Sequence, residues 1–194
     1  MNNCYLDAEA VITFFRMTGR KHIFITGSRG SGKSHLINNM LKHMSDSFNL
    51  LQSHRTDTPQ VVIKSNLVAD NKEFVIGVPR TSGINPASKG NNMTIIEDGF
   101  INCAIPAIDT HLDTTPERLF VIDELGYLES SCIPFQKAVE KLLDNSHVLA
   151  VIRKQSTEFL NRICNRKDVL VIDIDNTNAF LHYYGFRYVK TFWL

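Results

Sequence analysis

The stretch that most constrains this chain is Gly27–Ser34, "GSRGSGKS", which fits the pattern G-x-x-x-x-G-K-[ST]. The pattern acquires a mechanical meaning when a strand runs into it and a helix leaves it. Both signals are present. "HIFIT", His22 to Thr26, is a short β-branched and aromatic run, and Leu36, Ile37, Met40, Leu41 and Met44 form an apolar stripe at helical spacing. Gly27, Gly30 and Gly32 let the backbone curl with its N–H groups inward, facing phosphate oxygens at the positive end of the next helix. Lys33 is placed to reach the outer phosphates and Ser34 to hold a magnesium ion. The candidate nucleotide-binding set is therefore Gly27, Ser28, Arg29, Gly30, Ser31, Gly32, Lys33, Ser34 and His35. Within it, Arg29 either faces water or touches a phosphate or a partner.

A second stretch, "LFVIDELGYLES" from Leu119 to Ser130, drives an apolar run into the adjacent carboxylates Asp123 and Glu124. On a surface loop such a pair would serve solubility alone. Beside a phosphate cradle it has a chemical use. In P-loop NTPases a carboxylate at the end of a neighbouring strand holds the magnesium ion, usually through water, and Asp123 fits that position. Glu124 then becomes the candidate general base for the attacking water. Strand alternation would aim two neighbours at opposite faces, so the chain is expected to leave regular strand geometry here, and Gly126 suits such a departure. The cation expected to neutralise the transferring phosphoryl group is Arg153. It comes after the strand-like "HVLAVI" and should emerge at the same sheet edge as Asp123, with Lys154 second and Arg166 third.

A length of 194 residues suits one domain over residues 1–194 with a sizeable core. Lys and Arg number 21 against 20 Asp and Glu, so no general basic field exists to capture nucleic acid, although a local patch would not register in that balance. Cys4, Cys103, Cys132 and Cys164 lack C-x-x-C spacing, which favours reduced thiols over a disulfide framework or zinc site. "MNNCYLDAEAVITFFRM" has no basic segment before its apolar part, and no apolar run reaches membrane-spanning length. The expectation is a cytoplasmic protein with no membrane partner.

Residues 7 to 17 read as a lead-in helix within an N-terminal segment 1–20, and "SHRTDTPQ" reads as a loop. Strands are expected at "VVIKS", "EFVIGV" and "MTIIE", with a mobile loop over 79–92 that carries Arg80. Residues 100 to 111 look helical. Pro134 opens a helix to Leu143, and "QSTEFLNRIC" makes another before the strand "DVLVIDI". A last helix is expected near Asn178 to Tyr184, and an edge strand in "FRYVKTFWL". The alternation of strand and helix around near-continuous apolar strands argues an α/β fold, a mainly parallel sheet with helices on both faces.

Several segments together carry a resemblance to a known family. "IFITGSRGSGKSHLI", "AIPAID" preceding "LFVIDELGYLE", "AVIRK", and "NRKDVLVIDID" are similar in order and spacing to the small P-loop nucleoside-triphosphatases, the thermophile-type and cancer-related family of archaea, bacteria and human, over residues 20 to 45 and 95 to 178. The resemblance implies a RecA-like P-loop fold and slow, Mg2+-dependent hydrolysis of ATP, GTP and other nucleoside triphosphates with broad base tolerance. It also implies Gly27–Ser34 as phosphate loop, Asp123 as magnesium-associated carboxylate and Glu124 as base. The chain departs from the family in its N-terminal lead-in and in Tyr127, where a lysine is common. It also departs in "DNTNAF", where an arginine comes after the asparagine in the family. "DELGYL" additionally resembles the Walker B segment of AAA+ helicase loaders, but Lys33 and Asp123 lie 90 residues apart here and only 71 residues come after Asp123, which leaves little room for a lid. A nucleotide or small-molecule kinase, with Arg80 over the transferred phosphate, and a nucleotide-controlled switch are the other open readings. No N-K-x-D guanine-selecting motif occurs, and the sequence fixes neither the base-binding residues nor an oligomeric state.

Overall fold

The computed structural model describes residues 6–44, 47–80 and 93–176. One eight-stranded sheet organises them, in the order β5-β4-β3-β2-β6-β7-β1-β8. The strands are β1 (His22–Thr26), β2 (Phe48–Arg55), β3 (Val61–Ser65), β4 (Phe74–Pro79), β5 (Met93–Ile95), β6 (Leu119–Leu125), β7 (His147–Ile152) and β8 (Val169–Asp173). From β2 through β8 along that order the pairings are parallel, whereas β3, β4 and β5 extend the sheet antiparallel from β2. The sheet is thus mainly parallel, and the fold is of the α/β class.

Both faces are covered. In β1 the alternation sends Ile23 and Ile25 to one face and Phe24 to the other, and all three are buried because helices lie on each side. On the Ile23 face pack α1 (Ala8–Thr18), through Val11 and Ile12, and α2 (Lys33–Met44), through Leu36, Ile37 and Met40. On the Phe24 face pack Phe100, Ile108, Phe135, Val139, Leu142 and Phe159. They come from a helical run of α3 (Glu97–Gly99), a π-turn (Phe100–Ala104) and α4 (Ile105–Thr114), and from α5 (Ile133–Asn145) and α6 (Glu158–Cys164). The π-turn sits just before Pro106, which has no N–H to give the carbonyl four residues back and whose ring crowds it.

The lead-in helix forms as expected, started by the Asp7 side chain accepting from Glu9 N–H and ended by Gly19 in the left-handed region. The polar stretch after α2 differs from the sequence reading. Ser53, His54 and Arg55 are the last residues of β2, paired with Ile63, Val62 and Val61 of β3, and the turn is confined to residues 56–60. Residues 81–92 of the expected mobile loop, the expected last helix and the expected edge strand lie outside the described residues. Among the described residues no helix is long and apolar enough to cross a membrane.

Candidate functional site at the C-terminal edge of the sheet

Because β1, β6 and β7 are parallel, the segments leaving their C-terminal ends meet at one edge. β7 lies between the strand that feeds the glycine loop and the strand that carries the acidic pair. Gly27 to His35, Glu124, Arg153, Lys154, Gln155 and Arg55 line one cleft of about 790 Å3.

The loop turns where the glycines stand. At Gly32 φ is +95°, a region that side chains disfavour. At Gly27 the neighbours press close: a Cβ built there would lie 2.7 Å from Ile174 Cγ1 and 2.8 Å from Ser31 Oγ. α2 begins at Lys33, immediately after the turn. The Lys33 ammonium donates to the carbonyls of Gly27 (2.9 Å) and Ser28 (2.8 Å), so it hangs back over the glycine loop. Ser34, His35 and Arg29 line the open side of the cleft, and Asn39 Nδ2 lies 3.0 Å from His35 Nε2.

Across the cleft, β6 is regular against β7 as far as Ile122↔Ala150 and regains register at Leu125↔Ile152. Asp123 and Glu124 fill the irregularity between, and of the two Glu124 lines the cleft. The peptide bond joining them is cis. Asp123 is half-buried, and its Oδ2 has Gln52 Nε2 at 3.4 Å. Burial raises its pKa above the ordinary value, partly offset by the Gln52 hydrogen bond and the Lys33 charge. A hard, oxygen-ligating dication would suit this group, a half-desolvated carboxylate with one long hydrogen bond. Among the described residues no group of three or more His, Cys, Asp or Glu is placed to hold a metal ion.

Arg153 Nε donates to Glu124 Oε1. The arginine is anchored at its backbone, where its N–H donates to Leu125 O (2.9 Å), and its stem passes over Gly126, whose absent Cβ would stand 3.0 Å from Arg153 Cδ. Glu129 is buried behind this pair and accepts from Gly126 N–H (3.0 Å) and Ser53 Oγ–H (3.2 Å); burial raises its pKa.

Two acids and one base escaped the sequence reading. The acids are Asp173 and Asp175. Asp175, just beyond β8, accepts from the Ser28 N–H (2.7 Å) and hydroxyl (2.9 Å), holding the loop from outside. Lys154 bridges Asp173 (2.8 Å) and Asp175 (3.1 Å); that pairing lowers the Asp175 pKa and raises that of Lys154. The repeated acids of "VIDID" were the available signal, but only the β8–β1 pairing sets them beside the loop. The base is Arg55, which sits in the polar stretch read as a loop. Arg166 is elsewhere: it pairs with Asp168 and Asp144 near the start of β8.

Known proteins resemble this chain in sequence and in fold. The nucleoside-triphosphatase THEP1 of Thermotoga sp. strain RQ2 is 27% identical over 158 residues, spanning 80% of this chain and 87% of that protein. The THEP1 of Thermotoga maritima is 24% identical over 157 residues, spanning 80% of this chain and 87% of that protein. Among solved structures, THEP1 from Aquifex aeolicus superposes with a TM-score of 0.63 at 17% identity, covering 84% of this chain and 95% of that one. A human cancer-related nucleoside triphosphatase superposes with a TM-score of 0.58 at 19% identity, covering 87% and 100%. The model of the NTPase family NTPase_1 matches residues 22–182, from the first residue of β1 to past β8, and the chain therefore belongs to this family of P-loop nucleoside-triphosphatases.

Proposed function

We propose that this protein hydrolyses nucleoside triphosphates to the diphosphate and phosphate, with Mg2+ and without strict choice of base. The observation that carries the reading is the single cleft in which the glycine loop with Lys33 and Ser34 faces Glu124 and Arg153. N–H groups of the loop and of the first turn of α2 would bind the phosphate oxygens, and these are common to all four nucleotides. Lys33 would exchange the Gly27 and Ser28 carbonyls for the outer phosphates. Ser34 and Asp123 would hold Mg2+, which when bound neutralises charge on the outer phosphates.

Glu124 would accept the proton from water as its oxygen bonds to the terminal phosphorus and the bond to the diphosphate oxygen breaks. Arg153, on the Glu124 carboxylate, would orient that base and lie beside the reacting phosphate. Cytoplasmic residence belongs to the same reading, supported by free thiols at Cys103, Cys132 and Cys164.

The test is phosphate release from ATP, GTP, CTP and UTP with Mg2+, with Mg2+ removed by a chelator, and with single-stranded DNA added. Slow release from several nucleotides, abolished by the chelator and unmoved by DNA, is expected. Strong stimulation by DNA would favour a helicase-loader role. Tight binding with no phosphate released over hours would favour a kinase or a switch.

A further inference from the structure

The cations around the cleft differ in what they already hold. Arg153 is on Glu124, Lys154 lies between Asp173 and Asp175, and Lys33 is on two loop carbonyls. Arg29 belongs to the glycine loop itself. Arg55 comes from the opposite wall. β2 pairs with β6 in parallel, Gln52 beside Asp123, so Arg55 stands three residues farther along at the C-terminal edge, where it lines the cleft with Glu124. Its backbone is fixed by pairing with Val61 of β3. Its side chain is exposed, and among the described residues it takes part in no ion pair or hydrogen bond.

Arg55 also marks a junction. A second cleft, of about 590 Å3, adjoins the first, and the two share Arg55, Glu124, Arg153 and Gln155. A solvated strand-end arginine need not fall among the residues common to both. The shared boundary lies past the glycine loop on the side of Glu124, where the terminal phosphate and the attacking water would meet. Charge on the transferring group spreads over its equatorial oxygens and calls for a cation there, and a guanidinium meets two such oxygens at once.

We propose that Arg55 is a further catalytic residue, the in-chain arginine that contacts the oxygens of the terminal phosphate during transfer. The proposal rests on the hydrolase reading above. It divides the labour: Arg153 positions Glu124, and Arg55 stabilises the developing charge. Since such a contact strengthens in the transition state, its loss falls on kcat rather than on KM.

The experiment measures steady-state hydrolysis and nucleotide binding for the parent, Arg55→Ala and Arg55→Lys, with thermal unfolding as a control on the fold. Arg55→Ala is expected to lower kcat by roughly 10³-fold with KM nearly unchanged, and Arg55→Lys to recover part of the loss. ADP alone should bind Arg55→Ala as it binds the parent, whereas ADP with aluminium fluoride, a mimic of the transferring phosphoryl group, should bind it far more weakly. Turnover of Arg55→Ala at the parent rate would overturn the proposal while leaving hydrolysis intact. Equal weakening of ADP with and without aluminium fluoride would overturn it as well, since it marks a general charge effect. A parent that releases no phosphate from any of the four nucleotides would overturn the hydrolase reading first, and this proposal with it.

Discussion

At the N-terminal edge of the parallel strands, His111 is fully buried between Asn49, whose Nδ2 is 2.8 Å from its Nδ1, and Ser146, whose Oγ is 2.6 Å from its Nε2. At the C-terminal edge Lys33 and Glu124 are half-buried, and Arg55, Arg153 and Lys154 are exposed. The first group is closed and the second is open. Asn49 donates to Nδ1, so Nε2 carries the ring proton and donates to Ser146, whose hydroxyl passes on to Pro116 O (2.8 Å). Asn49 Nδ2 also reaches Thr115 Oγ1 (2.8 Å). Burial lowers the His111 pKa and keeps the ring neutral, so each polar group is matched without a charge. The C-terminal edge keeps its charges at the rim, half-buried or exposed. One edge fixes the strands, and the other uses their ends.

The sharpest way to break the comparison is to alter one edge and find the other's property changed. Glu124→Gln should lower turnover by roughly 10²- to 10⁴-fold, since the amide keeps the shape but accepts no proton. Nucleotide binding and the unfolding midpoint should stay near the parent's. Lys33→Ala should likewise remove most turnover. Hydrolysis by Glu124→Gln at the parent rate would exclude Glu124 as the base.

A smaller effect belongs to the N-terminal edge and appears in stability rather than rate. His22 is fully buried, among the described residues neither ring nitrogen has a hydrogen-bond partner, and Asp168 Oδ2 stands 3.4 Å away. Desolvation outweighs the nearby carboxylate and lowers its pKa from 6.5 to about 4. The folded state thus prefers the neutral ring, and the unfolded chain takes up the proton first as pH falls. The stability this group contributes is fully present above about pH 6.5 and is lost as pH falls through about 4, on the order of 3 kcal/mol in total. Urea unfolding at pH 7.5 and pH 4.5 should show this loss in the parent and a shallower dependence in His22→Leu; parallel pH dependences would refute it.

The smallest effect tests how lightly the rim is held. Lys154→Met leaves Asp173 and Asp175 without their shared cation beside the glycine loop. Nucleotide affinity should fall by roughly two- to fivefold, less so at high salt because the pair is exposed. A loss that salt does not change would point to a distorted loop instead.

Local sequence was informative where one residue type answers one local demand. The glycine loop, its strand and its helix are contiguous, so Gly27–Ser34 and the apolar stripe of α2 could be read in place, as could the acidic pair at the end of an apolar strand. Arg153 could be placed at the same edge because parallel strands share a direction. The polar end of β2 could not. Asn49, Gln52, Ser53, His54 and Arg55 lack a strand's apolar alternation, and Asn49 is buried only because His111 and Thr115 arrive from elsewhere in the chain.

The sequence by itself determined the glycine loop, the acidic pair at the end of its apolar strand and a sheet with helices on both faces, since each comes from periodicity or from a backbone requirement within a few residues. Only the tertiary structure decided which distant groups share the cleft. The pairing of β8 with β1 carries Asp175 to Ser28, 147 residues away. The pairing of β2 with β6 brings Arg55 to the cleft that Glu124 lines. Strand order is chosen by the packing of the whole sheet and its helices, and that energy is spread over the two cores rather than written in any one segment.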